Sequence, residues 1–100
     1  MIEVSGIGDF VKETEKIDEN NTREVYRVGE RAFLVENKNT IEVRCDEKLG
    51  KLLCEKYESV MQSRYFGRGG IEIVKAGEQL AKSEIEDLIR LSYNLTKETA

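Results

Sequence analysis

Arg23–Tyr57, REVYRVGERAFLVENKNTIEVRCDEKLGKLLCEKY, reads as a three-stranded meander running directly into a helix, and it holds most of the candidate core. Over 23–28, Val25 and Arg27 alternate with Glu24, Tyr26 and Val28, the period of two expected of a strand with one buried face. Gly29-Glu30 is a tight-turn signal, because glycine reaches positive φ without a Cβ penalty. Ala32–Glu36 carries strand-forming residues, and Asn37-Lys38-Asn39 is a second turn. Thr40–Arg44 alternates again, with Ile41 and Val43 on one face and Glu42 and Arg44 on the other.

Asp46 follows at once as a strong N-cap type, and Glu47 suits the positive end of a helix dipole. Leu49, Leu52, Leu53, Tyr57 and Val60 recur at three- and four-residue spacing and form an apolar stripe that must cover a sheet face. Gly50 inside this helix reads as a tolerated surface glycine, costing roughly 0.5–1 kcal/mol against alanine.

Outward from this segment, Ser83-Glu84-Ile85-Glu86 reads as a capping box. Behind it Ile85, Leu88, Ile89, Leu91, Ser92, Tyr93 and Leu95 make a broad stripe, with 98–100 expected to fray. Ile71–Lys75 alternates as one more strand. Phe10–Ile17 is ambiguous: Val11, Glu13, Glu15 and Ile17 alternate as a strand would, while Phe10, Thr14 and Ile17 fit a helical face. A strand pairing with 23–28 through the Asp18–Asn21 turn is the favoured alternative. Residues 1–9 hold a short β-capable run, Ile2-Glu3-Val4, and are expected to form a weakly ordered start. The expected whole is one α+β domain over 1–100. Its twisted antiparallel sheet has four to five strands (10–17, 23–28, 32–36, 40–44 and 71–75), with helices 46–57 and 84–97 packed on it.

Composition narrows the function. The chain has 100 residues, no histidine and two cysteines. Imidazole-based triads and histidine-containing zinc sites are therefore impossible, and two cysteines cannot fill a four-thiolate site. Cys45 and Cys54 read as small buried residues, with a reactive Cys45 near a helix N-terminus as the sharper alternative. No apolar run approaches a membrane span and no signal-peptide pattern opens the chain, so the expectation is a cytoplasmic protein without disulfides. The two glycosylation-type sequons, at Asn20 and Asn94, then read as chance. Net charge is −4. Met1–Thr22 holds two basic and six acidic residues, while Arg23–Lys56 holds eight basic and seven acidic. An acidic whole disfavours a general nucleic-acid coat but leaves room for a local contact.

The most distinctive stretch for binding is Ser59–Gly70, SVMQSRYFGRGG. Arg64 and Arg68 bracket Tyr65 and Phe66. Arginines interleaved with aromatics suit single-stranded nucleic acid or another anion, the rings stacking on bases and the guanidiniums pairing with phosphate. The competing reading makes Tyr65 and Phe66 a short strand capping the core beside solvated arginines.

Val28-Gly29-Glu30-Arg31-Ala32-Phe33, Arg44-Cys45-Asp46, Leu53 and Tyr57, and Glu84-Ile85 leading to Leu88-Ile89 and Ser92-Tyr93-Asn94-Leu95 resemble the MmcQ/YjbR family. The front half is also similar to the N-terminal domain of TfoX-type proteins. The likeness covers Arg23 to Thr96. It departs from the family in lacking the usual helix before the meander, and in carrying Gly69-Gly70-Ile71 where a His-Trp pair is usual. The resemblance implies a small α+β domain with a twisted antiparallel sheet. Its suggestion of DNA binding rests on fold analogy, whereas function resides in sites.

The expected function is a non-catalytic binding or regulatory module, touching nucleic acid through Arg64, Tyr65, Phe66 and Arg68, with Lys75 on the adjoining strand. The alternative is a protein-interaction or homodimerisation module. No cofactor and no metal is expected. An enzyme would have to use carboxylates, a tyrosine or a thiolate, and no acidic pair stands out by its spacing.

Overall fold

The computed structural model describes residues 6–99. The elements are β1 (Val11–Lys16), β2 (Thr22–Val28), β3 (Arg31–Glu36), β4 (Thr40–Arg44), α1 (Glu47–Lys56), β5 (Val60–Ser63), β6 (Gly67–Val74) and α2 (Lys82–Thr99), with a 3-10 turn at Lys75–Gly77. All neighbouring strands are antiparallel, in the order β1-β2-β3-β4-β6-β5. The fold is α+β, a six-stranded antiparallel sheet with two helices on it. The meander and both helices stand where the periodicity places them. Phe10–Ile17 resolves as a strand, closed by an Asx turn in which Asn20 N–H donates to Asp18 at 2.9 Å.

Sheet register decides what each strand contributes. Lys12, Tyr26, Leu34, Val43, Ile71 and Gln62 form one transverse row, five of its neighbour steps being direct cross-strand pairs. Tyr26, Leu34, Val43 and Ile71 from this row join Phe33, Ile41, Ile73, Ile89 and Tyr93 in the main core. Leu49 and Leu53 of α1 and Ile85 and Leu88 of α2 pack against it, so both helices cover the same face. Phe33 is fully buried and meets Tyr93 edge-on, ring centres 5.1 Å apart.

A β-bulge in the β2–β3 pairing, after Tyr26, makes Phe33 an extra residue and puts both Phe33 and Leu34 on the helix side. The β3–β4 ladder runs only over 34–36 on β3. Beyond it, the Ser92 hydroxyl of α2 donates to the Phe33 carbonyl and accepts from the Arg44 N–H at 2.8 Å. A single buried hydroxyl thus satisfies the two backbone groups that the bulge frees.

Several expectations are corrected. The sheet gains β5, which periodicity did not reveal because only four residues pair, and β6 begins at Gly67 rather than Ile71. α2 starts at Lys82, so Ser83 and Glu86 do not form the capping box; Glu84 instead reaches back to the Ala81 N–H at 3.1 Å. Leu52 is 63% exposed and leaves the α1 stripe. Gly50 is buried: a Cβ there would stand 3.3 Å from Cys45 Sγ and 3.4 Å from Ile71 Cγ2, so its bareness seats α1 on β6. Ile2-Glu3-Val4 lies outside the described residues. Within the rest of the expected loose start, Ile7 packs on the core and the Tyr93 hydroxyl donates to the Asp9 carbonyl at 3.0 Å.

Candidate binding face

Among the described residues no helix lies on the opposite face of the sheet. Its central row runs Glu13, Val25, Val35, Glu42, Glu72, Met61. Val25 and Val35, with Ala32, form a second small core. Something must shield them, and the β5–β6 turn does: Tyr65 and Phe66 pack against this cluster, ring centres 4.9 Å apart at 72°. Phe66 can lie this close because residue 70 is glycine; a Cβ there would fall 2.7 Å from Phe66 Cβ and 2.6 Å from the Val43 carbonyl oxygen. The expected short strand at Tyr65-Phe66 is therefore a turn, and Gly70 is a seat for an aromatic ring rather than a source of looseness.

Two glutamates anchor that turn. Glu42 and Glu72 are direct cross-strand partners, each about as buried as a core valine, at 2% and 1% exposure. Two like charges at such a position destabilise unless each is compensated. Glu42 Oε1 accepts from the Ser63 hydroxyl and from the Tyr65 N–H, both at 2.8 Å, and Oε2 accepts from Asn37 Nδ2 at 2.8 Å. Glu72 is gripped side-on by Arg64, Nε to Oε1 at 3.0 Å and Nη2 to Oε2 at 2.7 Å, and also accepts from Thr40 at 2.7 Å. Burial pushes Glu72 upward, but the Arg64 and Thr40 hydrogen bonds and the Arg64 charge outweigh it and leave the carboxyl below its ordinary value.

This pair was missed in the sequence, where Glu42 reads as the solvent side of an alternating strand. The signal lay in the surroundings: two facing strands each carry one acidic residue among β-branched ones, and a serine ends β5 with an arginine directly after it in the turn to β6. The two carboxylates hold the turn, accepting from donors on Ser63, Arg64 and Tyr65. A base working near neutral pH needs a raised carboxyl pKa, and Glu72 moves the other way.

Around the two rings stand three arginines from two strands, β2 and β4. Arg23 lies over Tyr65 at 5.0 Å and pairs with Glu15 at 2.9 Å. Arg27 pairs with Glu13 at 2.8 Å and Glu15 at 3.3 Å. Arg44 lies over Phe66 at 4.7 Å and donates from Nε to the Ala32 carbonyl at 2.7 Å. It has no carboxylate partner among the described residues, and burial followed by the nearby Arg31 charge lowers its pKa.

The five residues singled out in the sequence therefore separate. Arg64, Tyr65 and Phe66 share the helix-free face. Arg68 lines a different hollow, of about 870 Å³, with residues of α1 and β5. Lys75 sits beyond the far end of β6, donating to Glu36 at 3.2 Å and to the Asn37 carbonyl at 2.6 Å. It locks the β3–β4 hairpin and takes no part in the face. A reactive Cys45 is also set aside: burial above all, then Cys54 and Asp46, pushes its thiol up to about 11. Among the described residues no group of histidine, cysteine or acidic side chains could hold a metal, and no helix is long and apolar enough to cross a membrane.

Comparison with protein-family models, with curated proteins and with solved structures finds no match.

Proposed function

We propose that the chain is a non-catalytic binding module that holds single-stranded nucleic acid on the helix-free face of its sheet, as an MmcQ/YjbR-like domain. The observation that carries this reading is Arg44: a half-buried guanidinium over an aromatic ring, beside a second arginine and without a carboxylate partner among the described residues. A cation so placed gains most from an incoming anion, since the desolvation cost is already met in the free protein. Arg64 adds an oriented guanidinium, because Glu72 holds two of its nitrogens while its side chain stays 74% exposed. Tyr65 and Phe66 supply aromatic surface for bases. Lys75 is outside this site.

The test is fluorescence anisotropy of a labelled single-stranded oligonucleotide across a salt series. Affinity is expected to fall linearly with the logarithm of salt, and Arg44→Gln is expected to reduce the slope by about 0.7, the share of one phosphate contact. An Arg64→Ala/Arg68→Ala double variant should lose the Arg64 share alone. Absence of binding at low salt, or a slope unmoved by Arg44→Gln, would overturn the reading.

One observation favours a second reading, a homodimer. β5 is an open edge, Met61 in its middle is 42% exposed, and the hollow beside it sets Glu47 and Glu55 against Lys51 and Arg68, a self-complementary arrangement for a second copy. Sedimentation of the wild type and of Met61→Lys decides it: a dimer dissolved by the lysine supports this reading, and a monomer at all concentrations removes it.

A further inference from the structure

On the helix-free face, a cavity of about 370 Å³ is lined by Ile17, Arg23, Asn37, Glu42, Arg64 and Tyr65. Its polar groups are not interchangeable. A carboxylate offers about four acceptor sites. Glu42 Oε1 has two donors, but among the described residues Oε2 has only Asn37 Nδ2 and keeps one site. Asn37 spends both amide hydrogens, on Glu42 at 2.8 Å and on Thr40 at 3.0 Å, and its Oδ1 accepts from no described residue. Two neighbouring acceptors are thus left open on one wall. On the others, Arg23 and Arg64 are each held by a glutamate through Nε and Nη2, so that each Nη1 is left without an acceptor among the described residues.

The ligand that fits must present two adjacent N–H donors to the Asn37–Glu42 wall. It must do so without a positive charge, because two guanidiniums line the same cavity. Among nucleobases only guanine has adjacent donors on its Watson–Crick edge, at N1 and N2. Adenine and cytosine pair one donor with an acceptor there, and uracil flanks its single donor with carbonyls. Unpaired bases splayed from a strand are read on that edge. We infer that this cavity is a guanine subsite, with Asn37 Oδ1 and Glu42 Oε2 accepting from N2 and N1, and with Arg23 and Arg64 facing the attached phosphate. The inference deepens the nucleic-acid reading and rests on it for the strand, but the cavity itself is testable with free nucleotides.

The experiment titrates the isotopically labelled protein with the 5′-monophosphates of guanosine, adenosine, cytidine and uridine, and then with guanine-rich and guanine-free single strands. Guanosine monophosphate is expected to bind at least about tenfold more tightly than the others, the discrimination of one bidentate contact. Its amide shifts should centre on Asn37, Glu42 and Tyr65. Asn37→Ala should bring guanosine monophosphate down to the affinity of the other three; circular dichroism and the Thr40 and Glu42 amide positions check that the hairpin survives. Four equal affinities, or a preference untouched by Asn37→Ala, overturn the inference. Salt-dependent binding of all strands without guanine preference overturns the subsite and leaves the strand reading standing. A guanosine preference without strand binding does the reverse.

Discussion

The two faces of one sheet are built from alternate residues of the same strands, yet they are held by different physics. On the helix side, Phe33, Leu34, Ile41, Val43, Ile71 and Ile73 are at most 1% exposed and are covered by Ile89 and Tyr93 of α2 and by Leu49 and Leu53 of α1. That face is stabilised by apolar area and close packing. On the other side only Val25, Ala32 and Val35 are apolar core, and their cover is a turn of three residues tethered through Glu42 and Glu72. The lesson is that burial of a strand's polar side need not mean a second helix layer. A short turn suffices where carboxylates accept its N–H and guanidinium donors.

The largest contrast is expected from truncation on the two sides. Phe33→Ala should cost about 3–5 kcal/mol in urea unfolding, because it opens a cavity against Tyr93, Tyr26 and Phe10. Phe66→Ala, half-buried over Gly70, should cost less than half as much. Equal losses would mean that the turn is as much a part of the core as α2.

A smaller effect is expected from the tether. Arg64→Ala removes two charge-assisted hydrogen bonds from Glu72, but water can enter from the exposed Arg64 side, so the cost should be about 1–2 kcal/mol. Adding Glu72→Leu to Arg64→Ala should recover most of that loss, because an unpaired buried charge is replaced by apolar volume. A double variant weaker than Arg64→Ala alone would contradict this account of the pair.

The smallest effect is in pH. Glu72 has a folded-state pKa below its ordinary value, so the stability that it contributes is complete above the unfolded glutamate value of about 4.3. That contribution is lost as pH falls below this value and through the folded one. Glu72→Gln should flatten the acid limb of stability against pH in that window and leave the profile near neutrality parallel to wild type. An unchanged acid limb would show that other carboxylates dominate it.

Comparison of the faces also explains what was legible in the sequence. The helix side follows from local periodicity: Ile41 and Val43 alternate, Leu49 and Leu53 recur one turn apart, and Asp46 announces α1, its carboxylate accepting from Lys48 N–H at 3.1 Å. The other side depends on partners far apart in the chain. Glu42 meets Ser63 and Tyr65 across more than twenty residues, and Thr40 meets Glu72 across thirty-two. No period links these positions, so Glu42 reads as solvent-facing. The arginine–aromatic run in 64–68 overlaps the turn that covers Val25, Ala32 and Val35. It could not tell that the two arginines part, Arg64 to the sheet face and Arg68 to the α1 hollow, because a bulge between β5 and β6 rather than local pattern sets their directions.

The most direct test of the central claim is an amide chemical-shift titration with a short mixed-sequence single-stranded oligonucleotide at two salt concentrations. The account predicts shifts confined to the helix-free face, on 64–66 with Arg23, Asn37 and Arg44, shrinking at the higher salt. Shifts along β5 and α1 instead, or none at the lower salt, would contradict it.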